Sequence, residues 1–169
     1  MPLFGMNNGL VPIISYNYGA GKRDRMIKAM RLAITYAFCI MVIGTLIFWI
    51  FPRQLLGFFN ASEDMLAIGI PALRIISLSF PVAAFCIIFS SVFQSLGNGI
   101  YSMITSFARQ LIALITSAYI LARMANFELA HIDYVWWSYD IAEIVSITVS
   151  IFLFMRLYKN KISHIGEKV

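Results

Sequence analysis

Long apolar stretches separated by short polar ones run along the whole chain. Residues 32–51 contain no charged side chain, and about 20 such residues, rising ~1.5 Å each, cross the ~30 Å hydrocarbon layer of a bilayer. Backbone polar groups cannot stay unpaired in lipid, so these stretches should be helices. We therefore predict an all-α polytopic membrane protein. Its predicted elements are a partial helix over residues 8–20 and whole transmembrane helices over 29–51, 68–96, 100–123 and 134–157.

Local signals mark the ends and bends of these helices. Pro52 ends the first whole span, and Ser62 is placed to cap the helix that begins with Glu63 and Asp64. The sequence Gly97-Asn-Gly99 predicts a tight turn between the second and third whole spans. Prolines within apolar stretches remove a backbone donor and predict helix bends. These prolines are Pro12, Pro71 and Pro81.

Composition agrees with the pattern. The chain is 60% hydrophobic and 12% charged, with a mean hydropathy of +0.81, whereas a soluble domain is about one quarter charged. The net charge of +5 implies no nucleic-acid partner, because the basic residues cluster at helix ends. Cys39 and Cys86 lie inside apolar stretches, where a thiol packs as a small hydrophobe, so we predict neither a disulfide nor a metal ligand.

The distribution of Lys and Arg predicts the orientation. With connections assigned alternately to the two sides of the membrane, ten of the 13 basic residues fall on one side. The positive-inside rule makes that side cytoplasmic. Residues 1–158 then form the transmembrane part and residues 159–169 a cytoplasmic tail. Trp136 and Trp137 lie where an outer aromatic belt is expected.

Two carboxyl groups lie within the last span. Asp140 and Glu143 are three residues apart and share one helix face. An ionisable group at membrane depth costs about 2.5 to 3.5 kcal/mol on insertion scales, which makes each a candidate for reversible binding of a coupling ion. The alternative for Asp140 is simple solvation in the outer headgroup zone, because it follows Tyr134 by only six residues.

Other polar residues within spans are candidates for substrate contacts or for hydrogen bonds between helices. For Arg109 the alternative is snorkelling toward the inner headgroups. His131 and His164 have no neighbouring ligands in metal-binding patterns, and no phosphate loop or nucleophile elbow occurs, so neither a metal site nor an enzyme is predicted. The polar candidates are Arg109, Gln110, Gln94, Tyr16 and Asn17.

An ordered set of short motifs carries a family resemblance. It consists of residues 9–21 (GLVPIISYNYGAG), Phe80-Pro81, residues 93–97 (FQSLG), Arg109-Gln110, Trp136-Trp137 and Ala142-Glu143. The set resembles the C-terminal half of a multidrug and toxic compound extrusion (MATE) transporter. The resemblance implies a fold of twelve helices in two lobes, of which this chain matches the end of the eighth helix to the twelfth. We expect the N-terminal lobe and the seventh helix to be missing, and Asp140 occupies a position where similar sequences commonly have proline.

The resemblance also implies a function. Members of the MATE family are secondary antiporters of the plasma (inner) membrane that exchange protons or sodium ions for organic, often cationic, compounds. Membrane lipid, the missing lobe and a small organic substrate are the implied partners, and no cofactor beyond the coupling ion is expected. Two alternatives stay open: a lipid-linked oligosaccharide flippase of similar architecture, and a non-transporting membrane scaffold or truncation product.

Overall fold

The structure, a computed structural model, describes residues 2–125, 133–163 and 165. Every regular element in these residues is helical, which confirms the predicted all-α class. The helices are α1 (Pro2–Gly19), α2 (Arg23–Ile50), α3 (Pro52–Gly57), α4 (Glu63–Ser77), α5 (Phe80–Ser95), α6 (Gly99–Phe107), α7 (Ile115–Met124) and α8 (Asp133–Leu157). Two π-helical segments, Ala108–Leu114 and Tyr158–Ile162, continue α6 into α7 and extend α8.

The long helices match the predicted spans. In the described part of the chain, Arg23–Ile50, Gly99–Met124 and Asp133–Ile162 are each long and apolar enough to cross a membrane. Counted together as one broken span, α4 and α5 are also long and apolar enough for a fourth crossing. Helix α1 begins at Pro2 rather than at residue 8. The helix continues through the polar residues Asn7 and Asn8, whose side chains line a cavity.

A break between α4 and α5 bends the third long segment by 51°. Pro81 has no N–H, so it cannot donate to the carbonyl of Ser77, its acceptor in an uninterrupted helix. Thr45 of α2 replaces the missing donor: its Oγ1 lies 2.9 Å from the Ser77 carbonyl oxygen. Trp49 Nε1 also donates to the Arg74 carbonyl at 3.1 Å. Side chains of α2 thus satisfy the backbone that the break exposes.

The predicted turn and cap residues adopt the expected conformations. Ser62 accepts a hydrogen bond from the Met65 N–H at 3.3 Å and caps α4. Gly97 has a φ of 71°, and the N–H of Asn98 donates to the Phe93 carbonyl at 2.8 Å. This pattern closes the C-terminus of α5 and reverses the chain into α6.

The core lies where α1, α2, α5 and α8 meet, and large side chains there are fully buried, including Ile14, Ile88 and Phe93. Small residues on the buried helix faces allow the backbones to approach closely. On α8 these small residues recur at every fourth position. They are Ser138, Ala142, Ser146 and Ser150.

The π-helical extension of α8 contacts the N-terminal end of α2 and the C-terminal end of α5. Arg23 donates a hydrogen bond to the Tyr158 hydroxyl, and its guanidinium lies 5.5 Å from the centre of that ring. Lys161 Nζ donates to the Leu96 carbonyl at 3.1 Å, a favourable place for a cation because α5 ends there. Ile162 is only 1% exposed. His164 and residues 166–169 of the predicted tail lie outside the described residues.

Candidate functional site

Arg109 lies at the start of the π-helical segment Ala108–Leu114, in the interior of the span formed by α6 and α7. A π-helical turn carries an extra residue and widens the backbone, and such turns are frequent at functional sites. Here the widened turn packs against α8. The local backbone therefore presents Arg109 to the neighbouring helix.

Glu143 of α8 is the partner of Arg109. Arg109 Nη1 donates to Glu143 Oε1 at 2.8 Å, and the two side chains are 31% and 11% exposed. A charge at this depth is costly unless it is paired, and the contact compensates both groups. The second carboxylate oxygen, Oε2, is buried and accepts no hydrogen bond from the described residues. One oxygen of Glu143 is thus held by Arg109, the other accepts no nitrogen or oxygen donor of the described residues, and the carboxylate also lies within hydrogen-bonding reach of the Cys86 thiol.

Cys86 and Ser146 lie next to this ion pair. The Cys86 side chain is buried and lies within hydrogen-bonding reach of the Ser146 hydroxyl and the Glu143 carboxylate. Cys86 comes from α5 and Ser146 from α8, one turn after Glu143. Three elements, α5, the π-helical segment and α8, therefore converge on the carboxylate.

The ion pair adjoins a polar cavity of about 510 Å³. Helices α1, α5 and α6 form three of its walls. Arg109 and Ser146 form the wall next to Glu143. Most of the lining side chains carry a hydroxyl or an amide group. The lining residues are Phe4, Asn7, Asn8, Val11, Pro12, Cys86, Ile87, Ser90, Ser91, Gln94, Thr105, Ser106, Arg109 and Ser146.

Hydrogen bonds fix part of the cavity wall. Gln94 Nε2 donates to Ser102 Oγ at 3.0 Å, and Ser90 Oγ is hydrogen-bonded to the same hydroxyl. Asn7 differs, because its Oδ1 is buried without a hydrogen-bond partner in the described part of the chain. The cavity therefore combines a wall of hydrogen-bonded hydroxyl groups with a buried acceptor, Asn7 Oδ1, that no described residue bonds.

The structure brings some of the predicted polar candidates together and separates others. Arg109 and Gln94 both line the cavity. Tyr16 and Gln110 are exposed on outward faces. Asn17 is hydrogen-bonded within its own helix, with Nδ2 donating to the Ile13 carbonyl at 2.8 Å.

The remaining candidates also have defined places. Asp140 is half-buried, and among the described residues its Oδ2 has no hydrogen-bond partner. Pro12 lies inside α1 and lines the cavity, Pro71 lies inside α4, and Pro81 follows the break before α5. In the described part of the chain, no three His, Cys, Asp or Glu side chains could hold a metal ion together. His131 and His164 lie outside that part.

Sequence reasoning missed the hydroxyl lining and the position of Cys86 beside the carboxylate. A signal for the hydroxyls exists in the sequence, since Ser and Thr recur inside apolar helices at spacings that keep them on one face. Ser91 and Ser95 on α5 are four residues apart, as are Ser146 and Ser150 on α8. Nothing in the sequence signals that Arg109 pairs with Glu143.

The comparison with protein families and the comparison with solved structures agree with each other. The MatE family model matches residues 1–120. No curated protein matches the chain. Among solved structures, the MATE multidrug transporter DinF-BH is 29% identical with a TM-score of 0.81, the alignment covering 96% of this chain and 35% of that one.

Two further structures are similar. A MOP superfamily transporter from Pyrococcus furiosus, described as having a binding pocket of reverse polarity, is 26% identical with a TM-score of 0.83, and the alignment covers 99% of this chain and 36% of that one. An inward-facing multidrug resistance MATE family transporter shares the fold with a TM-score of 0.83 at 24% identity. The chain spans 37% of the length of that transporter.

Proposed function

Because the chain belongs to the MatE family, whose model matches residues 1–120, we propose that it forms part of a secondary active antiporter. The antiporter exports organic compounds in exchange for protons or sodium ions. The resemblance implies this function. It also implies that the protein is integral to the plasma membrane, and the distribution of basic residues predicts a cytoplasmic C-terminus. The chain covers about a third of the similar transporters, so transport is proposed for the complete protein.

One observation carries the proposal: a carboxylate inside a transmembrane segment lies beside a polar cavity. Glu143 Oε1 is occupied by Arg109, whereas Oε2 is unbonded among the described residues. We assign Glu143 as the group that binds the coupling cation, because its buried Oε2 has no hydrogen bond among the described residues that a cation would have to displace, while Oε1 is bonded to Arg109. Asp140 is assigned a secondary role, since its Oδ2 is likewise unbonded but lies away from the cavity lining.

A cation at Glu143 changes the position of Arg109. The guanidinium is held by a charge-assisted hydrogen bond, which is stronger than a neutral one. Neutralising the carboxylate weakens that bond and releases the guanidinium at the cavity wall. Ion binding at α8 is thereby linked to the shape and charge of the cavity.

The flippase alternative is less well supported. A lipid-linked pyrophosphate would require a chamber with several basic groups. Among the described lining residues Arg109 is the only basic one, and Glu143 offsets its charge. The scaffold alternative applies to these transmembrane segments on their own, not to the complete transporter.

The proposal is tested with the complete protein in proteoliposomes. An imposed inward gradient of protons or of sodium ions should drive export of an organic dye against its own gradient. Transport that ignores both cation gradients would overturn the assignment as a cation-coupled antiporter.

A further inference from the structure

The cavity beside the ion pair has a distinctive charge pattern. Arg109 is the single charged residue among the described residues that line it, and Glu143 lies behind Arg109, outside the lining. The two formal charges cancel, so a ligand in the cavity meets a net neutral site. A neutral site with polar walls favours a ligand that brings hydrogen-bonding atoms and no net charge.

Arg109 retains unused donors on the cavity side. A guanidinium carries several N–H groups, and the described structure uses one of them, the Nη1 donor to Glu143. The side chain is 31% exposed, so further donors are accessible to a solute. Ser106 of α6 and Asn8 of α1 are both exposed and both line the cavity, so they supply additional hydrogen-bonding groups.

We propose that this cavity binds an uncharged organic solute rich in hydroxyl or carbonyl oxygens, with Arg109 as the principal donor and Glu143 as its positioning residue. The inference rests on the proposed function and names its substrate class. A cationic ligand would face the guanidinium, because the carboxylate is only 11% exposed and already bonded. An anionic ligand would lose its hydration and be repelled by Glu143 behind the guanidinium.

The arrangement also makes binding of the solute and binding of the coupling cation antagonistic. With Glu143 charged, its bond to Arg109 fixes the direction of the guanidinium donors. A cation at Glu143 weakens this bond, so the donors lose the orientation that the solute requires. Antagonistic binding of this kind is what exchange of one for the other needs.

The test uses three fluorescent probes that differ at one group. They are 4-methylumbelliferyl glucoside, which is neutral, the corresponding glucuronide, which is anionic, and the glucosaminide with a free amine, which is cationic. Binding to the purified full-length protein in detergent is measured by equilibrium dialysis. We expect the glucoside to bind about tenfold more tightly than either charged probe, the size of one charge-assisted contact.

Variants identify the residues responsible. In Glu143→Gln the affinity for the glucuronide should rise about tenfold and that for the glucoside should fall several-fold, which reverses their order. The double variant Arg109→Gln with Glu143→Gln should lose affinity for both probes, and it leaves no unpaired charge that would prevent folding. Arg123→Gln is the matched control, because Arg123 is exposed and contacts Tyr119 away from the cavity.

Tighter binding of the cationic probe by the unmodified protein, or an unchanged order of probes in Glu143→Gln, would overturn the proposed substrate class. Either result can occur while cation gradients still drive export, so it leaves the proposed antiport intact. Loss of gradient-driven export with the neutral preference retained would instead contradict the antiport function alone.

Discussion

Arg109 Nη1 lies 2.8 Å from Glu143 Oε1 and joins the π-helical segment of one span to the middle of another. The two residues are separated by 34 positions in the sequence. Because these two opposite charges are in direct contact, they compensate each other. Replacing either residue leaves the charge of the other uncompensated. The first two predictions follow from this contact.

In the complete transporter, Glu143→Gln should reduce cation-driven export by about tenfold or more, because it removes the ionisable group while keeping the shape of the side chain. Export is measured across a series of pH values and sodium concentrations, with expression checked in parallel. Glu63→Gln is the matched control, since Glu63 is exposed in the first turn of α4. Efflux that is unchanged across the whole series would remove Glu143 from the coupling role.

Arg109→Gln should lower the free energy of unfolding by about 1 to 3 kcal/mol, because the Glu143 carboxylate is left without its partner. Adding Glu143→Gln should restore much of that loss, since no charge then lacks compensation. Thermal unfolding of the single and double variants in detergent forms a double-mutant cycle. If the effects of the two single substitutions simply add in the double variant, the ion pair contributes nothing to stability.

Thr45→Val should destabilise the protein by about 1 kcal/mol, because the Ser77 carbonyl at the α4–α5 break loses its donor. Thr35→Val is a close control. Thr35 and Thr45 lie in the same helix, and each donates to the carbonyl four residues before it. Only Thr45 also bonds a carbonyl of another described helix. The melting temperatures of the two variants are compared, and the role of Thr45 is rejected if both shift equally.

Gly97→Ala should lower stability by about 1 to 2 kcal/mol, since a φ of 71° is costly for a residue with a Cβ atom. Gly99→Ala is the control two residues away. Gly99 begins α6, has no positive φ, and an added Cβ would meet no atom within 4 Å. Chemical or thermal unfolding should separate the two variants, and a Gly97→Ala protein as stable as Gly99→Ala would contradict the strained turn.

The helices could be predicted from the sequence because lipid imposes a simple requirement on each span taken separately. Residues 32–51 need no partner to be recognised as membrane-spanning. Ser62 and Gly97 are similarly local, since a cap or a left-handed turn involves only a few neighbouring residues. Such features were confirmed by the structure.

The candidate site could be predicted only in part, because its contacts depend on how separate helices are rotated about their axes. Asp140 and Glu143 share one helix face in the sequence, yet the partner that compensates Glu143 comes from another span. The π-helical segment sets the direction of Arg109, and nothing in its composition distinguishes it from ordinary helix. Sequence reasoning therefore named both Arg109 and Glu143 without joining them.

The extra residue in the turn at Ala108–Leu114 has a consequence for comparing this chain with its relatives. One additional residue rotates every later side chain of that span by about 100° around the helix axis. A relative with a regular helix here would therefore need a single-residue gap in its alignment. Without that gap, residues of α7 that touch α8 in one protein would be equated with residues that touch lipid in the other.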